Sequence, residues 1–243
     1  MNDERYMRQQ MLPLYQGRQD ELRNKKIGFI GVGGAGGLSS MLLTLAGVGE
    51  VRIADFDTLA DHNLHRQILF KESDIGLPKV EGALRELTAR NSDTKVVAFK
   101  EKIDESNFAR FAKGLDLIAD VSDNAASRLT ISKLALDHRL DLISGAVSAY
   151  TALVAIFAYH DPQFIKQHGC YRCLTAGAPI NTKVGITGPI AASCASLTAH
   201  VALEYLLGNK AHVGKLIRYD LSNLAIQKLS LCRDPNCIDC ASC

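Results

Sequence analysis

The chain has 243 residues, 47% of them hydrophobic, enough for one sizeable buried core. Its 28 basic and 26 acidic side chains leave a formal charge of +2, which gives no broad electrostatic reason to expect nucleic acid or an anionic membrane as a partner. No apolar run reaches the roughly 20 residues of a membrane span, and the charged start Met1-Asn2-Asp3-Glu4-Arg5 lacks the apolar region of a signal peptide, so a cytoplasmic protein is expected.

In chain order, Lys26 to Ile30 reads as a buried strand running into a glycine-rich turn, Gly31-Val32-Gly33-Gly34-Ala35-Gly36-Gly37, and Leu38 to Ala46 has helical spacing with Gly47 as a stop. Val51 to Asp55 is the next strand, Lys79 to Asn91 a helix, and Lys95 to Lys100 a strand with β-branched residues. Leu115 to Val121 and Asp141 to Val147 continue the alternation around a helix from about Ala125 to Arg139. The consistent fold class is α/β, a doubly wound, mostly parallel, Rossmann-like sheet covered on both faces, with function at the carboxyl ends of its strands. From about Thr151 the pattern changes to an extended apolar strand, Ala152 to Tyr159, then a loop from His160 to Thr187, a helix from about Pro189 to Leu207, and a closing hairpin of Leu216 to Tyr219 with Ala225 to Leu231. No linker compels two independent units. The expectation is one domain over 1–243, with a nucleotide-binding part to about 147 and a partner-binding, metal-bearing part from about 148.

Gly31, Gly33 and Gly36 form a G-x-G-x-x-G fingerprint between a strand and a helix, where backbone can approach a phosphate and the helix N-terminus supplies amide donors. A tight turn selected for packing is the plainer alternative. Asp55 stands where it can accept hydrogen bonds from ribose hydroxyls, which by itself still permits NAD. Arg66 and Lys79, accompanied by Asp57 and Asn63, add two cations suited to a triphosphate and to pyrophosphate as it leaves, although such a pair is often only solvated surface. Asp123 and Asn124 close the strand that starts at Leu115; Asp123 can hold Mg2+ against phosphate oxygens, or both residues can serve as helix caps.

Cys170-Tyr171-Arg172-Cys173 and Cys237-Ile238-Asp239-Cys240 have the spacing with which two pairs complete a tetrahedral four-thiolate site. Structural zinc is the expected occupant, pinning the C-terminal tail to the loop; an iron–sulfur cluster or two redox pairs are the rivals. Of the three other cysteines, Cys194 falls inside the late helix as a buried inert thiol, and Cys232 and Cys243 flank the second pair with no chemistry assigned. His62 and His65 lack a partner at ligand spacing.

Taken together and in order, Arg5-Tyr6-Met7-Arg8-Gln9, the glycine turn, Asp55-Phe56-Asp57, Asn63-Leu64-His65-Arg66-Gln67, Pro78-Lys79, Ser122-Asp123-Asn124 and the two cysteine pairs make nearly the whole chain resemble the ThiF/MoeB/HesA family, bacterial relatives of ubiquitin-activating enzymes. The resemblance implies an adenylyltransferase that uses Mg-ATP to activate the C-terminal glycine of a small ubiquitin-like sulfur carrier of ThiS or MoaD type, for thiamine or molybdopterin synthesis. It further implies Gly34 at the phosphate loop, Asp55 on the ribose, Asn63, Arg66 and Lys79 on the phosphates and Asp123 on magnesium. Arg8 would reach into the partner subunit's site, hence a homodimer. One departure stands out. Members that link covalently to the carrier place a cysteine shortly before a segment comparable to Gly185-Ile186, where this chain has Asn181-Thr182-Lys183-Val184. Adenylation without a covalent step there is therefore expected. His65, in place of a common glutamine, and a short loop from Thr175 to Lys183 keep a peptide substrate open, while an NAD-dependent oxidoreductase and a nucleotide-binding scaffold without turnover are the other classes.

Overall fold

A computed structural model describes residues 3–175 and 184–241. Two short helices, α1 (Met7–Gln10) and α2 (Gln19–Arg23), precede β1 (Lys26–Ile30), α3 (Gly34–Leu45), β2 (Glu50–Ala54), α4 (Lys79–Arg90), β3 (Lys95–Phe99), α5 (Phe108–Ala112), β4 (Leu117–Asp120), α6 (Ala125–Asp137) and β5 (Leu142–Ser148). The second part runs through β6 (Thr151–Phe157), α7 (Pro162–His168), α8 (Tyr171–Thr175), α9 (Gly188–Leu206), β7 (Lys215–Asp220) and β8 (Ala225–Ser230).

All eight strands belong to one sheet in the order β3-β2-β1-β4-β5-β6-β7-β8. The first five pair in parallel, and β6, β7 and β8 extend the sheet antiparallel. The chain leaves β1 for β2 on one side and returns to β4 on the other, so the β1/β4 junction is the switch point at which this architecture opens a crevice. A period of two divides the apolar residues of the central strands between the faces. Phe29, Leu117, Ile143 and Val154 face one core, and Ile30, Ile118, Leu142 and Ala155 the other. Apolar residues of α3, α4 and α9 complete the first core, and those of α5, α6 and α7 complete the second. Two buried faces explain why the central strands read as almost continuous apolar runs.

The segment expected to be loop from His160 to Thr187 holds two helices, α7 and α8. Asp161 caps α7 by accepting from the Gln163 N–H at 2.9 Å, and Pro162 occupies the first helical turn. Phe164 and Ile165 are buried in the second core, an apolar pair too short to show helical period in sequence. No helix among the described residues is long and apolar enough to cross a membrane.

Candidate functional site

The glycine turn sits at the carboxyl end of β1. Gly31 has φ +89°, and a Cβ there would lie 3.2 Å from the Ser122 backbone, so this turn packs directly on the loop after β4. A Cβ on Gly36 would fall 1.9 Å from the Gly31 carbonyl oxygen, which makes the first turn of α3 and the preceding loop mutually exclusive with any larger residue. Gly33 is the N-cap of α3 and supplies no side-chain acceptor, leaving the first-turn N–H groups directed outward as anion donors.

Asp55 follows the last residue of β2 and is 9% exposed. Its Oδ2 accepts from the Val32 N–H and its Oδ1 from the Asp57 N–H, both at 2.9 Å. Burial raises its carboxyl pKa above the usual range, against the two backbone donors and the charge of Lys79, which pull it down. The carboxylate therefore splints the glycine turn to the β2 exit while keeping lone pairs available for a hydroxyl donor.

Lys79, buried at the start of α4, donates to Asp57 Oδ2 at 2.8 Å. Arg66 is half-buried as a residue, and its guanidinium donates to the His62 carbonyl at 2.9 Å, with His65 Nε2 at 2.7 Å. Asn63 is buried, and its Oδ1 accepts from the Ala60 N–H at 3.1 Å, which fixes the short turn that carries Arg66. This turn abuts the glycine loop: a Cβ on Gly34 would lie 3.0 Å from the Arg66 carbonyl oxygen, and one on Gly33 would lie 3.5 Å from the Gln67 amide nitrogen. The amino end of α9 joins the same corner, with the Cβ position of Gly188 2.8 Å from the His65 carbonyl oxygen. Arg8 is exposed on α1, its side chain without a hydrogen bond or ion pair to a described residue.

At the end of β4, Asp123 is exposed, with no hydrogen bond or ion pair to a described residue. Asn124 caps α6, its Oδ1 accepting from the Ser127 N–H at 3.0 Å. The residue that holds this loop belongs to none of the sequence motifs. Arg128 is buried and donates to Ser144 Oγ at 2.9 Å, to the Gly145 carbonyl at 2.6 Å and, by a short contact, to the Ser122 carbonyl. Burial disfavours its charge, but Asp120, then Tyr171 and Cys194, together outweigh the burial and the guanidinium pKa is raised. Its place in the buried stripe Arg128, Ile131, Ser132, Ala135 of α6 is the feature by which sequence could have revealed it.

The two cysteine pairs converge at the second core. Cys170 Sγ lies 3.6 Å from Cys237 Sγ and Cys173 Sγ 3.5 Å from Cys240 Sγ, and all four sulfurs fall within 4.8 Å of one another. Thiolates at about 2.3 Å from a tetrahedral ion stand about 3.8 Å apart, so the spacing fits a four-thiolate metal centre. It is far longer than the roughly 2.05 Å of a disulfide. Burial pushes the Cys170 thiol up, whereas at Cys237 the desolvation is outweighed by the N–H groups of Asp239 and Cys240 together with the thiols of Cys170 and Cys173, which lower it. Arg172, between the first pair, donates to Asp239, between the second, at 2.6 Å. Cys194 is fully buried in α9, its thiol raised to about 11 by burial, as expected for an inert thiol. The thiol-free stretch Asn181-Thr182-Lys183 and the terminal Cys243 lie outside the described residues.

A glycine turn at the switch point, an uncapped helix start and a buried carboxylate after the second strand are the marks of the Rossmann-like nucleotide-binding class. Within that class the chain belongs to the ThiF family, whose model matches residues 6–239. It is 33% identical to the sulfur carrier protein adenylyltransferase of Thermus thermophilus, over 98% of this chain and 90% of that protein. To the molybdopterin-synthase adenylyltransferase of Escherichia coli it is 31% identical, over 91% of this chain and 89% of that protein. The fold is shared with the crystal structure of E. coli MccB, at a TM-score of 0.84 and 23% identity over 99% of this chain and 73% of that one.

Proposed function

We propose that this protein is an ATP-dependent adenylyltransferase that activates the C-terminal glycine carboxylate of a small ubiquitin-like sulfur-carrier protein, of the ThiS or MoaD type, for thiamine or molybdopterin synthesis. Family membership with relatives named as adenylyltransferases of sulfur-carrier and molybdopterin systems is the observation that carries this reading. The whole of 1–243 acts as one unit, its first part binding nucleotide and its second part, from about 148, holding the carrier and the four cysteines. It works in the cytoplasm as a homodimer, in which the exposed Arg8 has a partner's site to reach.

In this reading Asp55 takes the ribose, and the N–H groups of Gly34 and the glycine turn take the phosphates. Asn63 positions Arg66. Lys79 exchanges Asp57 for phosphate oxygens, so the ion pair of the free protein stores a cation at the site. An oxygen of the carrier's carboxylate attacks the α-phosphorus while the bond to pyrophosphate breaks, giving an acyl-adenylate. The protein contributes alignment of the two reactants and neutralisation of the charge leaving with pyrophosphate. Asp123, an exposed carboxylate without a partner among the described residues, fits a magnesium ion, which when bound supplies part of that neutralisation. The four thiols fit zinc in closed coordination, a structural role with no position left for an activated water. Cys194 is buried and weakly acidic, which favours direct attack of a sulfur donor on the adenylate, or use of another cysteine, over a covalent step at Cys194.

The test is exchange of labelled pyrophosphate into ATP, with a panel of small Gly-Gly-ending proteins and of short peptides as acceptors. A carrier should drive exchange, and Asp123→Ala should abolish it. Exchange driven by peptides alone would make the substrate a peptide, and NAD binding without ATP binding would overturn the assignment.

A further inference from the structure

A second cluster of metal-ligating side chains lies at the far end of α9, remote from the four cysteines in sequence. His200 and Glu204, one turn apart, share a face of the helix. The helix ends in a Schellman turn, with the Gly208 N–H donating to the Tyr205 carbonyl at 2.9 Å, the Asn209 N–H to the Glu204 carbonyl at 2.9 Å, and Gly208 at φ +82°. That reversal carries the chain back across the helix and brings His212 over the same face.

The Nε2 atom of His200 lies 3.7 Å from Glu204 Oε1, and that of His212 lies 3.4 Å from Glu204 Oε2. One ligand atom from each of the three residues falls within 4.8 Å of the others. These separations exceed the ordinary N–H···O range of about 2.7–3.2 Å. The His212 separation is near the edge of a coordination tetrahedron, about 3.3 Å for nitrogen and oxygen ligands at about 2.0–2.1 Å from zinc, and the His200 separation, to the other carboxylate oxygen, closes to it with a small rotation of the exposed ring. The carboxylate is already oriented, since Asn209 Nδ2 donates to Glu204 Oε2 at 2.9 Å and Asn209 Oδ1 is itself fixed by the Ala211 N–H at 2.9 Å. His212 is mostly buried, and its Nδ1 has no partner among the described residues. His200 is 56% exposed, which opens the cluster to ions and leaves water for a fourth position.

We propose that His200, Glu204 and His212 form a second metal site, which takes one divalent transition ion of the zinc type. Two imidazoles and one carboxylate suit Zn2+, Co2+ or Ni2+ and disfavour Mg2+ and Ca2+. The ion joins the turn from Leu207 to Gly214 to the base of α9, the helix whose other end meets the loop carrying Arg66.

The experiment uses the untagged full chain with zinc already bound, desalted and then titrated with Co2+. A second equivalent should bind with visible d–d bands and without the near-ultraviolet thiolate charge transfer that cobalt at the cysteines would give. His200→Ala, exposed and therefore safe for folding, and Glu204→Gln should each weaken that second equivalent by at least about tenfold, leaving the first ion in place. Thermal unfolding should shift upward with added Zn2+ in the parent chain and not in His200→Ala. Absence of a second equivalent, a second equivalent with thiolate bands, or one unchanged in both variants would overturn the proposal. None of these readouts depends on adenylation, so the two assignments stand or fall separately.

Discussion

Replacing Arg128 with methionine tests whether a buried cation holds the Asp123 loop. Methionine keeps most of the volume and flexibility of the stem and removes the donors that now serve Ser144 Oγ, the Gly145 carbonyl and the Ser122 carbonyl. A hydrogen bond from a charged donor contributes about 1.5–3 kcal/mol, and breaking a buried ionic arrangement from one side costs about 3–5 kcal/mol. Because the three bonds share one side chain they are not additive, and the expected loss is about 3–5 kcal/mol, Asp120 also losing its neighbouring positive charge. For a chain of this size, about 2–4 °C per kcal/mol turns that into a fall of roughly 6–20 °C in the unfolding midpoint. The assay is calorimetry of variant and parent side by side, with pyrophosphate exchange measured well below the new midpoint. Exchange should show a raised KM for Mg-ATP, because the Ser122 carbonyl is adjacent to Asp123. Arg128→Lys should recover part of the stability, having the charge without the planar fork. A midpoint within about 2 °C of the parent, together with an unchanged KM, would refute the positioning role.

Two further substitutions probe the scaffold around the site. Gly36→Ala places a Cβ 1.9 Å from the Gly31 carbonyl oxygen, so the turn must open. The expected cost lies at or above the top of the usual overpacking range of about 1–3 kcal/mol, with ATP binding lost in equilibrium dialysis; normal ATP affinity would contradict the tight turn. Cys173→Ser should lower the content of tightly held zinc from one ion per chain toward none and make α8 and the C-terminal tail accessible to limited proteolysis. Unchanged zinc by native mass spectrometry would remove Cys173 from the ligand set.

The strands of the first part could be located from sequence to within a residue or two because both faces of the sheet are buried, which turns β1, β4 and β5 into compact apolar runs. Local chemistry also made the glycine turn and the cysteine pairs legible, since each motif needs only short-range spacing. What escaped notice depends on tertiary partners. Helices α7 and α8 have seven and five residues and owe their place to Phe164, Ile165 and the cysteines packing on the second core. Arg128 reads as an ordinary surface cation until the Gly145 and Ser122 carbonyls are seen to converge on it. His200 and Glu204 have visible helical spacing, but His212 reaches them only through the reversal at Gly208. Asp55 follows the last residue of β2, a place visible in the strand pattern, while its bond to the Val32 N–H is a property of the fold alone.

The paired cysteines are 67 residues apart in the chain. With a four-thiolate ion in place, the stretch from Cys170 to Cys240 becomes a closed ring containing α9, β7 and β8. The edge strand β8 then cannot peel away from a free end, because both ends of its segment are moored at one point. A single proteolytic cut inside the ring would leave two pieces still joined through the ion, separating only when the metal is withdrawn.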